Sequence, residues 1–143
     1  MRTANQHAWF RAYGLLVAAG LLAAGAQAQK LTMPTSKIAP AATIQLNLDK
    51  DSNGNTTVEL DAKNLAQPKS LQPAMSIYLV WVQAPGQAPQ AKGMLAVNQD
   101  LDGELKFITP LSTFVLFITA ERDGQVEVPS STEITRAAVA RAQ

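Results

Sequence analysis

The chain of 143 residues has no cysteine and only one histidine, His7. The missing thiols exclude disulfides, cysteine nucleophiles, thiolate zinc sites and lipid attachment through an N-terminal cysteine. Strong charge of one sign is missing too, with twelve Lys and Arg against eleven Asp and Glu and no basic cluster among them. Phosphate backbones and anionic membrane surfaces both need such a cluster, so nucleic acid is not expected as a partner. Beyond the first 28 residues there is no long apolar run and no long helical period.

Those first residues follow a secretory pattern. Arg2 and Arg11 sit in a positively charged start, an apolar run extends from Gly14 to Ala26, and Ala26-Gln27-Ala28 has the small-x-small form of a cleavage site. The run is too short to span a bilayer. Residues 1–28 therefore read as a signal peptide, with retention as a membrane anchor as the alternative. Export places the protein in the periplasm or outside the cell, and cleavage leaves no stable membrane span. Cleavage would leave 115 of the 143 residues, and because Arg2 and Arg11 depart without an acid, ten basic residues would face eleven acidic ones. His7 departs as well. Histidine general bases, the Ser-His-acid triad and histidine zinc sites then go with it. A remainder of this size makes one domain held by its own apolar core.

From Gln29 to Ala42, Pro34 and Pro40 interrupt regular structure, and the segment reads as an extended linker, either a tether or a stretch lying along an edge. The folded domain is expected over residues 43–143. Its dominant signal is a period of two. Ile44, Leu46 and Leu48 alternate with polar residues, as do Val58, Leu60 and Ala62, and Asp51-Ser52-Asn53-Gly54 between them makes a hairpin turn. Met75–Val82 and Thr113–Glu121 are apolar on both faces and read as central strands. They would lie at the centres of two sheets, or side by side in one sheet whose outer face needs a partner or a covering loop. Ala91–Asn98 and Leu105–Ile108 supply further strands, the buried side of the first being ambiguous. A last segment near Glu133–Val139 reads as a strand or a short helix. About seven strands at spacings near ten residues predict an all-β antiparallel sandwich of immunoglobulin-like organisation, ahead of a small barrel.

Few residues are equipped for chemistry. Asp49, Asp51, Asn53 and the Asn55 carbonyl have the alternate spacing of a calcium loop with Gly54 in sixth place, yet the twelfth position holds Leu60 instead of a bidentate Glu, with Glu59 one place early. A polar hairpin turn explains the pattern more simply. Asp100, Asp102 and Glu104 form a second acidic turn. Glu121 is the one acid whose place at the end of an apolar strand suggests general acid-base work, since glycoside hydrolysis needs only paired carboxylates. Lys69-Ser70 and Ser36-Lys37 are adjacent pairs that point apart on an extended chain. Trp81 and Tyr78 lie on opposite faces of one strand, so one ring faces away from the main core, either as packing or as a platform for a sugar or a partner.

Tyr78-Leu79-Val80-Trp81 with its following Gly/Pro loop, Gly93-Met94-Leu95 with the turn Asp102-Gly103, and Phe117-Ile118-Thr119-Ala120-Glu121 together resemble the extracytoplasmic C-terminal domain of bacterial anti-sigma-K-type factors. The resemblance covers roughly residues 55–140. It implies a sandwich fold and a bacterial envelope setting. Where that family continues with a Pro and a Gly-Gly loop, this chain has Arg122-Asp123-Gly124 and then Pro129-Ser130-Ser131, and the few residues ahead of the apolar run leave no room for a sigma-binding domain. The expectation is an exported, non-enzymatic binding or envelope-associated module with a protein or glycan partner. No catalytic, cofactor or metal residues are assigned to it. The alternative is a calcium-dependent adhesin or carbohydrate-binding module using the Asp49–Asn55 loop.

Overall fold

Alternating sequence becomes alternating burial along both strands of the first hairpin. The computed structural model describes residues 28–143, and the expected leader up to Gln27, with His7, lies outside the described residues. Strands β2 (Thr43–Lys50) and β3 (Thr56–Lys63) pair antiparallel with Leu46 opposite Leu60 and Lys50 opposite Thr56. A shift of one residue would turn Ile44, Leu46 and Leu48 outward together, so burial fixes the register. The turn between the strands has Gly54 at φ +82°, a backbone region open to glycine at little cost.

Six further strands complete the domain: β1 (Gln29–Thr32), β4 (Ile77–Gln83), β5 (Gln90–Leu95), β6 (Gly103–Thr109), β7 (Thr113–Glu121) and β8 (Glu133–Ala140). They form two four-stranded antiparallel sheets, ordered β1-β2-β3-β6 and β5-β4-β7-β8. The chain changes sheet after β3, β5 and β6, an interchange that ties the layers into an immunoglobulin-like sandwich. Between the layers lie Leu46, Leu48, Val58 and Leu60 from the first sheet and Tyr78, Val80, Leu116 and Ile118 from the second, all buried. Among the described residues no helix is long and apolar enough to cross a membrane.

Of the two readings of the segment 29–42, a tether or a stretch lying along an edge, the structure shows the second. Gln29–Thr32 is an edge strand on β2, and beyond it Met33, Ser36 and Ala39 are buried. The Ser36 hydroxyl accepts the N–H groups of Ile38 and Ala39, which rounds the corner that the prolines begin. The prolines prevent a long strand there without preventing attachment, so Gln29–Thr32 belongs to the domain and the strand count among the described residues is eight.

Three open points resolve together. Glu133–Ala140 is a strand, because Ile134 and Val139 fill the core and the edge of β7 offers main-chain partners, which outweighs the helix preference of its alanines. Leu95 is the inward residue of β5, while Met94 points out and is 53% exposed. The two strands apolar on both faces, β4 and β7, are neighbours in one sheet, with Trp81 opposite Phe117. A covering loop is required, and residues 122–132 supply it.

Leu60 is fully buried, so Leu60→Ala should cost about 2–5 kcal/mol of unfolding free energy in urea titrations. Ile108, on the solvent side of the neighbouring strand and 57% exposed, should tolerate Ile108→Ala within about 0.5 kcal/mol in the same measurement.

Candidate functional site

Trp81, Phe117 and Arg136 are cross-strand partners on β4, β7 and β8, and their side chains stand as a ladder on the outer face of that sheet. The Trp81 and Phe117 rings are stacked, with centroids 6.2 Å apart and planes within 9°. The Arg136 guanidinium carbon lies 4.4 Å from the Phe117 centroid, and its Nε meets Glu133 Oε1 at 2.5 Å. Both faces of Phe117 are therefore occupied, one by an aromatic ring and one by a cation. Leu79, Ile77, Val115 and Val126 pack around the ladder. Trp81 and Phe117 are each 1% exposed, so neither ring is an open platform for a sugar.

Polar groups fasten the cover over this face. The Trp81 indole N–H donates to Thr119 Oγ1 at 2.8 Å, and the Thr119 hydroxyl donates to Glu121 Oε1 at 2.7 Å. The same Glu121 oxygen accepts the Ser130 backbone N–H at 2.7 Å, while the Ser130 hydroxyl donates to the Ala120 carbonyl at 3.0 Å. Glu121 is 3% exposed. A buried carboxylate needs donors, and here it gets them from its own strand and from the covering segment. Geometrically Glu121 is a latch. Arg122 beside it is exposed and does not pair with it; the ion pairs among the described residues are Lys63–Asp102 and Arg136–Glu133. Thr119 and Glu121 are visible in the Thr-x-Glu ending of the strand, whereas Ser130, Val126 and Arg136 carry no signal of their own in the sequence.

The calcium-like loop closes on itself. Asp51 Oδ1 accepts the N–H groups of Asn53 and Asn55 at 2.9 and 2.8 Å, its Oδ2 accepts the Asn55 side-chain amide, and the Asn55 carbonyl accepts the Asp51 N–H. Desolvation raises the Asp51 pKa, but the hydrogen bonds from Asn55 and Asn53, aided by the Arg141 charge, outweigh it and hold the carboxyl below its ordinary value. Asp49 accepts the Lys50 N–H instead of turning toward Asp51. The second acidic turn is built the same way, with Asn98 Oδ1 accepting the N–H groups of Asp100 and Asp102. Strand register brings together acids that the sequence separates: oxygens of Glu59, Asp61 and Glu104 lie within 4.8 Å of one another on the outer face of the first sheet. All three are at least partly exposed.

Neither Ser-Lys pair forms a nucleophile site. Ser36 Oγ is engaged with the backbone, and Lys69 and Ser70 are exposed on the short turn Pro68–Ser70. One shallow apolar groove of about 400 Å³ opens where the outer face of β7 and β8 leaves the cover, between Pro85, Val115 and Ala138. No charged side chain lines it. No protein-family model matches the chain, and no curated protein is similar to it.

Glu121→Ala removes the acceptor shared by Thr119 and Ser130. It should cost about 1–3 kcal/mol in urea unfolding and speed tryptic cleavage at Arg122, with Glu121→Gln losing less because it keeps an acceptor oxygen. Tyr78, whose hydroxyl donates to the Ala66 carbonyl at 2.6 Å, is pushed up to about 12 by burial. An unfolded tyrosine titrates near pH 10, so this contribution to stability is complete below about pH 10 and disappears as the pH rises toward 12. Unfolding free energies measured across that range should fall for the parent chain, and Tyr78→Phe should remove this part of the decline.

Proposed function

We propose that this chain is an exported, non-enzymatic β-sandwich module of the bacterial envelope, periplasmic or secreted, that works by binding a protein or glycan. In fold it is related to the extracytoplasmic domain of anti-sigma-K-type factors. The observation that carries this reading is the chain Trp81–Thr119–Glu121–Ser130. Trp81, Thr119 and Glu121 are among the residues on which the resemblance rests, and here they serve one structural purpose, fastening a cover over the outer face of a sheet. A carboxylate engaged in this way is poorly placed to trade protons with a substrate, which supports binding over catalysis. Export rests on the Arg-flanked apolar run and the Ala26-Gln27-Ala28 site.

Expression with the native leader tests both halves of the reading. The expected product is a shortened chain in the periplasm or medium. Once purified, it should show no hydrolysis of glycoside, ester or peptide substrates that Glu121→Gln abolishes. A full-length chain in the cytosol would overturn export. Hydrolysis lost in a correctly folded Glu121→Gln variant would overturn the non-enzymatic assignment. A melting temperature raised by millimolar calcium would favour the calcium-dependent alternative, against the self-satisfied geometry of the Asp51 turn.

A further inference from the structure

We propose that Gln29, once freed as the first residue of the processed chain, is a pyroglutamate-forming site that the fold holds closed. The proposal rests on the export reading, which puts the cut between Ala28 and Gln29.

The Gln29 side chain reaches across the side of the sandwich where β1, the edge of one sheet, runs beside β8, the edge of the other. Its Oε1 accepts the Ala142 N–H at 3.1 Å, and its Nε2 donates to the Ala140 carbonyl at a longer 3.4 Å. A neighbouring strand would offer β8 the same donor and acceptor. Five residues on, the Thr135 hydroxyl donates to the Pro34 carbonyl at 2.7 Å, so the two edges are fastened at both ends. The Gln29 backbone is meanwhile held extended opposite Leu48 of β2. Both polar atoms of the Gln29 side-chain amide are thereby engaged with Ala140 and Ala142.

Cyclisation needs that amide at the residue's own nitrogen. The free α-amino nitrogen attacks Cδ, a bond from that nitrogen to Cδ forms, the Cδ–Nε2 bond breaks, and Nε2 leaves as ammonia with the proton that the amine gives up. Nothing is oxidised or reduced, and no other reactant is consumed. To reach this geometry the side chain must release both Ala140 and Ala142. The product has no Nε2, and its remaining oxygen is the carbonyl of a five-membered lactam closed on its own backbone nitrogen. The Ala140 carbonyl and the Ala142 N–H then lose their partner for good, so the modification would permanently unfasten one end of the seam.

Mass spectrometry of the processed protein, incubated beside a synthetic peptide of the sequence Gln-Lys-Leu-Thr, reads the loss of ammonia directly. The native protein should cyclise at least about fivefold more slowly than the peptide, as expected when closure must break a hydrogen bond. Ala142→Pro, which removes the N–H that holds Oε1, should restore a large part of the peptide's rate. Ala142→Gly, which keeps that N–H, should not, and circular dichroism checks that both variants fold. A native rate equal to the peptide's would overturn the proposal, and so would a rate unchanged by Ala142→Pro. A processed chain that begins at another residue would count against the export reading alone. A protease site placed directly before Gln29 then supplies the same N-terminus, and the same comparison decides.

Discussion

The stack of Trp81, Phe117 and the Arg136 guanidinium lies on the face of its sheet that points away from the core, and it constrains much of what surrounds it. Two strands rich in apolar side chains on both faces are a natural centre for a sheet, but only one of their faces can meet the other layer of the sandwich. Aromatic and aliphatic surface on the second face has to leave water some other way. Residues 122–132 provide that way, with Val126 packed against the ladder and Ser130 bound to Glu121. Placing a carboxylate under this cover would be costly if it were unpaired, and the Thr119 hydroxyl and the Ser130 N–H offset that cost.

The same economy appears at the turns. Asp51 and Asn98 each use one side-chain oxygen to bind two backbone N–H groups two and four residues ahead. The Asp51 side chain, ligand-like in the linear sequence, thus shapes the loop that holds it. Arg141 extends the pattern over a longer distance, with its guanidinium donating to the Thr56 hydroxyl and the Gly54 carbonyl and so tying the end of the chain to the first hairpin. A domain without disulfides gains order from such contacts at its loops, while its stability comes from the layer of side chains between its sheets.

Much of the architecture was legible because a strand with one wet face must alternate. Ile44, Leu46, Leu48, Val58 and Leu60 announce their strands and their inward side without reference to anything distant. The inward side of β5 was not legible, since Met94 and Leu95 are equally apolar and only pairing opposite the inward Tyr78 puts Leu95 on the core side. The pairing of Gln29–Thr32 was not legible, because four residues ahead of Pro34 carry no period of their own. Glu121 stands out in the sequence as the acid that ends an apolar strand, but its partner Ser130 is nine residues on and meets it only through the path of the covering segment.

Local chemistry alone determined that this domain is built from strands joined by polar turns, that no thiol chemistry is open to it, and which residues fill most of its interior. These follow from side-chain type and spacing, which are properties of short stretches of chain. Whether β4 and β7 would be neighbours or lie in opposite layers was decided only in three dimensions, because strand order depends on how the connections between sheets run. That choice placed Trp81 beside Phe117, created an outer apolar face, and put Glu121 where it meets the covering segment through Ser130.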